Sequence, residues 1–281
     1  MKAQYEHIAA GQQQSFYSRN YQAKSFNSPW HYHPQWELTY IKKGEGLCYV
    51  GNSIRPFASG ELVLVGSMLP HCWKSDETAG RVESIFAQWD DGLLGKDWLQ
   101  QPELTRINKL LKDSDRGLIF SQTLSEELGR KLEMLCSLPP FDSLIALLRI
   151  LQSLANSDYS YLSEGQSLSI NANSSERIEK ILQFVEQHYQ QDIQIEQLCE
   201  LCNMTQSSFA RFFKRSLDKP FSHYLSEYRV NRASNLLKSS ELSIEAIAYD
   251  VGFRNMSYFH RQFKKTFNST PANYRRSFQA L

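Results

Sequence analysis

The chain has 281 residues, enough for two ordinary domains, and its 41% hydrophobic and 22% charged residues exclude a disordered protein. No apolar run approaches the ~20 residues that span a bilayer, and the first residues lack the apolar core of a signal peptide, so we expect a cytoplasmic protein with no membrane partner. Five cysteines without a disulfide-type spacing fit a reducing compartment.

The net charge of +1 hides an uneven distribution along the chain. Residues 175–281 carry 15 Lys and Arg against 11 Asp and Glu, whereas the preceding residues carry 16 against 19. Residues 254–276 contain six bases and no acid, and residues 204–238 contain seven bases and two acids. Two basic blocks in one region favour a polyanionic partner, although either block alone would fit a solvated helix face.

The N-terminal part has the pattern of a β domain. Short runs of aromatic and aliphatic residues at Trp36–Ile41, Gly46–Val50 and Glu61–Val65 are separated by glycine and proline turns. Strands spaced about ten residues apart predict a sandwich or small barrel within residues 1–100.

The middle of the chain changes to a helical pattern. Leucines and isoleucines recur at helical spacing in residues 101–155, with Pro139 and Pro140 as a break. Residues 156–175 are rich in Ser and Asn, which predicts a linker. Residues 176–281 then form an all-α domain, whose predicted helices are Ser175–Gln190, Ile195–Cys202, Gln206–Leu217, Phe221–Ser239, Ser243–Val251, Met256–Thr266 and Ala272–Phe278.

A duplication is the strongest signal in this domain. The string FARFFKR at residues 209–215 returns as FHRQFKK at residues 259–265. Each copy follows a short helix and a turn residue that tolerates positive φ, Asn203 in the first and Gly252 in the second. A short helix, a tight turn and a second helix predict a helix-turn-helix, whose second helix enters the major groove of DNA.

The outer face of each second helix carries arginine. Arg211 and Arg261 lie about 200° around the helix from the first phenylalanine of each copy, so they should face solvent and can bind guanine O6 and N7. The bases at the end of each helix suit phosphates, which position a protein but specify no sequence. These bases are Lys214, Arg215, Lys264 and Lys265.

Residues 178–276 resemble the DNA-binding domain of the AraC/XylS family of bacterial regulators. The matching strings include Phe221–Leu237, Ser243–Phe253, Ser257–Lys264 and Thr270–Arg275. The resemblance implies two helix-turn-helix units joined by a long helix and placed in successive major grooves of double-stranded promoter DNA. Base contacts then correspond by position to Ser207, Ala210, Arg211, Ser257, Tyr258 and Arg261. The full predicted DNA-binding set is Ser207, Ser208, Arg211, Lys214, Arg215, Asn255, Ser257, Tyr258, His260, Arg261, Lys264 and Lys265.

Two features of this domain depart from simple expectation. Asn203, Asp218 and Asn268 stand where the family has glycine, and we read them as tolerated because Asn and Asp are the next-best residues for left-handed backbone. Cys199 and Cys202 form a C-x-x-C motif without a second pair, and core packing is favoured over zinc or redox chemistry.

The β domain contains a possible ligand set. His31, His33 and Glu37 fall on one face of a strand under period-2 alternation, and His71 follows a later turn. The spacing resembles the cupin barrel, whose metal-binding version uses three histidines and a glutamate, and such a set suits a divalent transition metal. The open alternative is that the histidines line an effector pocket or satisfy core hydrogen bonds. The predicted effector-binding residues are His31, His33, Trp36, Glu37, His71 and Trp73.

The sequence therefore predicts a two-domain regulator without enzymatic activity, in which an all-β cupin barrel followed by helices precedes two helix-turn-helix units. The resemblance implies a small-molecule effector such as a sugar, activation of catabolic genes with RNA polymerase, and a homodimer formed through residues 101–155. Two alternatives stay open: a cupin metalloenzyme with a DNA-binding tail, and a constitutive DNA-binding protein whose N-terminal domain only dimerises.

Overall fold

The structure, a computed structural model, describes residues 4–5, 15–75, 80–163, 172–217 and 219–279. The chain divides into two compact units whose boundary along the sequence falls between Leu168 and Ser169. Each unit is taken by itself below.

The N-terminal unit contains two sheets. The small sheet has the order β1-β3-β8-β5-β6 and the large sheet has the order β11-β10-β7-β4-β9-β2. The strands are β1 Gln4–Tyr5, β2 Tyr17–Ala23, β3 His31–Tyr32, β4 Trp36–Lys43, β5 Gly46–Val50, β6 Ser53–Phe57, β7 Leu62–Val65, β8 His71–Lys74, β9 Val82–Trp89, β10 Leu118–Phe120 and β11 Tyr159–Tyr161.

The two sheets pack face to face. Buried side chains from both, including Ile41, Val63, Val50 and Trp73, form one core between them. Neither sheet closes on itself within the described residues, so the predicted barrel is an open pair of sheets. The predicted β-rich N-terminal domain is confirmed.

Three helices cover the other face of the large sheet: α1 Thr105–Asp113, α2 Gln122–Leu135 and α3 Pro140–Ala155. Their leucine stripes share a core with Leu38, Tyr40 and Leu64 of the sheet. Helix α2 approaches the sheet closely at Gly129, where an added Cβ would lie 2.5 Å from the ring of Tyr40. The helices therefore belong to the same compact unit as the sheets.

Two strands correct the sequence-based boundaries. The region predicted as helical contains β10, which pairs with β7, and the predicted linker contains β11, which pairs with β10. Sequence pattern missed both because each is only three residues long and is stabilised by pairing with distant strands rather than by its own periodicity. Residues 164–171, the remainder of the predicted linker before the next helix, lie outside the described part of the chain.

The C-terminal unit is helical. Its helices are α4 Ala172–His188, α5 Ile195–Cys202, α6 Gln206–Leu217, α7 Phe221–Ser239, α8 Ile244–Asp250, α9 Met256–Phe267 and α10 Pro271–Gln279. Helices α5, α6 and α7 have the predicted bounds. Helix α4 begins three residues before Ser175, the predicted first residue, and ends two residues before Gln190, the predicted last one. In the described residues, no helix is long and apolar enough to cross a membrane.

The turn residues adopt the predicted left-handed backbone. Asn203 has φ 52°, Asn268 has φ 48° and Gly252 has φ 94°. At Gly252 a Cβ would also lie 2.6 Å from the carbonyl oxygen of Tyr189, so glycine is required there for space as well as conformation. Asp218, the third predicted glycine substitute, lies outside the described residues.

Candidate nucleic-acid interface and candidate metal centre

Helix α6 has one aromatic face and one basic face. Phe209 and Phe213 are buried, and the ring centroid of Phe213 lies 5.4 Å from that of Phe221 and 5.5 Å from that of Tyr224, both on α7. This packing fixes the rotation of α6 about its axis. The side chains of α6 left exposed by it are Gln206, Ser207, Ala210, Arg211, Lys214 and Arg215.

The start of α6 is held by Thr205. Its Oγ1 accepts a hydrogen bond from the backbone N–H of Ser208 at 3.3 Å and contacts the Ser208 hydroxyl at 3.0 Å. The structure therefore places the Ser208 side chain, a predicted DNA contact, half-buried in the helix cap.

Helix α9 repeats this design. Phe259 and Phe263 are fully buried against α7 and α8 in the core that also contains Val230 and Ile247. Asn255 caps the helix, because its Oδ1 accepts the backbone N–H of Tyr258 at 2.8 Å. The exposed predicted residues of α9 are Ser257, His260, Arg261, Lys264 and Lys265.

Tyr258 differs from the other predicted base contacts. Its hydroxyl lies 2.9 Å from Oγ of Ser226 on α7, and its ring centroid lies 5.2 Å from the guanidinium carbon of Arg261. The tyrosine is thus held to α7 through its hydroxyl, and the face of its ring contacts the guanidinium of Arg261. Sequence analysis missed Ser226, because it precedes Tyr258 by 32 residues and belongs to a different helix.

The two helices are chemically alike. Each carries three bases and no acid in twelve residues. Exposed arginine in mid-helix can form two hydrogen bonds with a guanine edge, and the terminal bases can contact phosphates. Such surfaces are suited to double-stranded DNA.

The buried polar centre of the N-terminal unit is formed by His31, His33, Glu37 and His71. One ligand atom from each lies within 4.8 Å of all the others, and all four residues are buried. The prediction of one continuous strand for the first three was wrong, since a bend at His33–Gln35 separates β3 from β4. The bend still brings the three together, and the pairing of His31 with His71 adds the fourth.

Backbone contacts set the orientation of all three imidazoles. Nδ1 of His31 lies 2.8 Å from the carbonyl oxygen of Pro29, Nδ1 of His33 lies 3.1 Å from that of Gln35, and Nδ1 of His71 lies 2.8 Å from that of Leu69. A carbonyl oxygen only accepts, so each Nδ1 carries the proton. The other nitrogen, Nε2, is then the one available to a metal ion. Metal-binding histidines are usually held in this way, with the second ring nitrogen donating its proton to a carbonyl oxygen.

The charge states also suit metal binding. Burial lowers the pKa of His31 to about 3, so this imidazole is neutral at pH 7. Burial acts to raise the pKa of Glu37, but the imidazoles of His33 and His71 outweigh it and hold that pKa well below its usual range. A neutral imidazole and an ionised carboxylate are the forms that bind metals.

The distances between the ligand atoms fit the binding of one shared metal ion. Oε2 of Glu37 lies 3.1 Å from Nε2 of His33 and 3.6 Å from Nε2 of His71. Two ligands ~2.1 Å from one ion and at right angles are ~3 Å apart, which is close to these values. Nε2 of His71 is buried and makes no hydrogen bond with any described residue, a costly arrangement that a metal ligand role would explain. The residues present therefore fit a divalent transition metal.

A cavity of about 280 Å³ adjoins this cluster. Of the predicted effector contacts, His31, Glu37 and Trp73 line it, whereas Trp36 lies outside and packs partly buried against the helical core. His33 and His71 belong to the cluster but not to the cavity wall. The wall also contains residues that sequence analysis missed, namely Arg19, Tyr21, Phe26, Thr39, Phe86 and Gln88.

The C-x-x-C cysteines lie in the core of the first helix-turn-helix. Both are buried and free, and burial raises the pKa of the thiols of Cys199 and Cys202. The thiols are therefore neutral at pH 7, as in ordinary core packing.

Comparison with known proteins identifies a domain family in each unit. A helix-turn-helix domain family matches residues 198–277, and a cupin domain family matches residues 19–86. The uncharacterized HTH-type transcriptional regulator YdeC of Bacillus subtilis is 31% identical over 102 residues, which is 36% of this chain and only 35% of that protein. The HTH-type transcriptional activator RhaR of Mannheimia succiniciproducens is 26% identical over 261 residues, 89% of this chain and 88% of that protein. The crystal structure of ToxT from Vibrio cholerae O395 covers 95% of this chain with 16% identity and a TM-score of 0.39.

Two helix-turn-helix units following a cupin unit define a DNA-binding transcription regulator with an N-terminal domain of the ligand-binding type. The chain carries an AraC-type helix-turn-helix domain and a cupin domain, and its relatives are HTH-type transcriptional regulators of the AraC family.

Proposed function

We propose that this regulator reads promoter DNA with α6 and α9 and responds to a small effector bound in its cupin unit. The observation that carries the proposal is the matched surface of the two helices. Each buries a phenylalanine pair and exposes one mid-helix arginine followed by two terminal bases.

In this proposal some side chains contact bases, some contact phosphates and some hold the helices in place. Arg211 and Arg261 contact guanine edges, with Ser207 and Ser257 beside them at the start of each helix. Lys214, Arg215, Lys264 and Lys265 contact phosphates, and His260 adds a further polar contact. Ala210 cannot hydrogen-bond a base, so the first unit reads less sequence than the second. Ser208, Asn255 and Tyr258 hold the two helices in the reading position.

The cupin unit would bind the effector in the cavity beside the histidine cluster. His31, His33, Glu37 and His71 would hold a divalent transition metal. When bound, such an ion offers positions to oxygen atoms of a ligand. The cavity combines a few polar groups with aromatic walls, as small-molecule sites usually do.

A signal from this site could reach the end of the cupin unit over a short path. The backbone N–H of Gly51 donates to the carbonyl oxygen of Pro70, the residue before His71, at 2.8 Å. The next residue, Asn52, accepts the hydroxyl of Ser163 at 2.6 Å, and Ser163 precedes Leu168, where the unit ends, by five residues. A shift of His71 would thus be felt where the chain leaves the unit.

We further propose that the regulator is a homodimer that activates transcription with RNA polymerase. The side chains of Met134 and Phe141, on α2 and α3, are 64% and 72% exposed, which supports dimerisation through residues 101–155. The relative RhaR is named an activator, which supports activation over repression.

In vitro selection from a random double-stranded DNA pool tests the central claim. We expect the full chain to enrich a site with two half-sites about 10 base pairs apart. The double variant Arg211→Ala/Arg261→Ala should lose this preference but keep weak, salt-sensitive binding. A matched control, His223→Ala, changes an exposed residue of α7 and should bind as the wild type. Recovery of no preferred sequence, or of the same sequence by the double variant, would overturn the proposal.

A further inference from the structure

One wall of the cupin cavity is a row of side chains across three strands. Arg19 of β2 pairs with Phe86 of β9, which pairs with Thr39 of β4. Two residues further along the same two strands, Gln88 of β9 pairs with Glu37 of β4. Because side chains alternate along a strand, all five point to the same face, and all five line the cavity.

The basic and the acidic side chain of this wall lie at opposite ends. Among the described residues that line the cavity, Arg19 is the only arginine or lysine, and it makes no hydrogen bond or ion pair with any described residue. Its guanidinium carbon lies 5.9 Å from the ring centroid of Tyr21. The one acid of the wall, Glu37, is at the other end and accepts hydrogen bonds from Thr39 at 2.6 Å and Gln88 at 2.7 Å. The cavity therefore has an unpaired cation at one end.

The sheet register gives the size of a ligand that would join the two ends. With strands ~4.8 Å apart and a rise of ~3.4 Å per residue, the Cα atoms of Arg19 and Glu37 are roughly 12 Å apart. Because side chains stand roughly perpendicular to a sheet, the groups at the two ends are separated by a similar distance, which leaves room for two hydrogen bonds and a molecule of about four to six carbons. The cavity volume of about 280 Å³ accommodates a molecule of that size.

The remaining walls restrict the character of that molecule. Tyr21, Phe26, Trp73 and Phe86 present aromatic rings to the cavity. Aromatic faces suit the C–H surfaces of a sugar or of a short carbon chain. A free guanidinium at the rim suits a carboxylate, which it can bind through two parallel hydrogen bonds.

We propose, building on the effector site of the proposed function, that the effector is a small organic acid of the sugar-acid or hydroxy-acid class. Its carboxylate binds Arg19, and its hydroxyl end faces His31 and Glu37. Arg19 then determines specificity, because it separates an acid from the neutral sugar or polyol of the same shape.

The test is ligand binding by the full chain with Zn²⁺ or Mn²⁺ present, measured by calorimetry and by the shift of the unfolding temperature. Probes come in pairs of matched shape: galacturonate with galactose, glucuronate with glucose, and gluconate with sorbitol. The variant Arg19→Gln removes the charge from the cavity. The control Arg81→Gln removes a charge near the same strand pair, where Arg81 contacts Gln22 on the opposite face of β2.

We expect at least one acid to bind at least tenfold more tightly than its neutral partner. Arg19→Gln should remove this difference, and Arg81→Gln should retain it. Tighter binding of neutral probes, unchanged in Arg19→Gln, would overturn the acid effector while leaving the effector site of the proposed function in place. Failure of every acid to bind would also overturn the inference. Neither result bears on the DNA selection experiment, which tests the regulator itself.

Discussion

Tyr258 donates its phenolic proton to Ser226. The two oxygens lie 2.9 Å apart, and the single proton of Ser226 is already directed to the carbonyl oxygen of Ser222 at 2.8 Å. The direction of the bond is therefore settled by the number of protons. It anchors the tyrosine to α7, with the guanidinium of Arg261 over its ring, so the connecting helix sets the position of an arginine on the reading helix.

Tyr258→Phe should weaken specific DNA binding by about 0.5–1.5 kcal/mol, or roughly two- to tenfold in Kd, because it removes one neutral hydrogen bond and keeps the ring. The base preference should stay the same, since Arg261 is still present. Ser226→Ala should have the same effect, and the double variant should be no worse than either single variant. Additive losses measured by fluorescence anisotropy would show that the two residues act independently.

Arg261→Ala should weaken specific binding by ~1–3 kcal/mol and relax the preference at one base pair. Lys264→Ala should instead lower affinity for all sequences and reduce the salt dependence by about one charge. Kd values for the selected site and its single-base variants, measured over a range of salt concentrations, separate the two effects. Equal salt slopes in all three proteins would contradict the assignment of Lys264 to a phosphate.

The C-terminal helices could be predicted from the sequence because their information is local. The phenylalanine pairs have helical spacing, and Asn203 and Asn268 are among the few residues that tolerate left-handed backbone. The bounds of α5, α6 and α7 agree with the prediction for this reason. The hydrogen bond of Tyr258 to Ser226 could not be predicted, because it depends on how two helices are rotated against each other.

In the cupin site, too, local features could be predicted from the sequence and long-range contacts could not. The types and spacing of His31, His33, Glu37 and His71 identified the cluster, although the bend before β4 was missed. Arg19 precedes His31 by twelve residues with no periodic relation to it, and only the register of β2, β9 and β4 brings it to the same cavity. Strand register is a long-range property that a single sequence does not display.

Removal of a cluster ligand should remove the metal. We expect His71→Ala and Glu37→Gln to contain much less Zn, Fe, Mn or Ni than the wild type, measured by elemental analysis after purification with limiting metal. Chelation should lower the unfolding temperature of the wild type, because an ion that binds only the folded chain stabilises it. His223→Ala, outside the cluster, should behave as the wild type in both measurements. A metal-free wild type that gains no stability from any of these ions would contradict the metal centre.

The turn of the first helix-turn-helix should accept glycine. Asn203 has φ 52°, so Asn203→Gly should change the free energy of unfolding by less than about 1 kcal/mol. Asn203→Val should cost about 1–2 kcal/mol, because a β-branched side chain is strained in left-handed backbone. Denaturant unfolding gives both values, and Asn268 offers a matched site in the second unit at φ 48°. Equal stability of the glycine and valine variants would refute the conformational argument.

Arg229 joins three parts of the C-terminal unit. From α7, its Nε donates to the carbonyl oxygen of Tyr189 and its Nη2 donates to that of Gln191, both at 2.7 Å. Its Nε also lies 2.9 Å from where a Cβ of Gly252 would be, beside the second turn. Arg229→Gln should therefore destabilise the unit by about 1.5–3 kcal/mol, the range for hydrogen bonds from a charged donor.

Arg229→Lys separates geometry from charge in this prediction. Lysine keeps the positive charge but lacks the planar fork that reaches two carbonyl oxygens at once, so it should recover only part of the loss. Denaturant unfolding of both variants, with the exposed His223→Gln as a control on the same helix, provides the comparison. Full recovery of stability by lysine would mean that charge alone matters, and that Arg229 does not fix the turn at Gly252 against the end of α4.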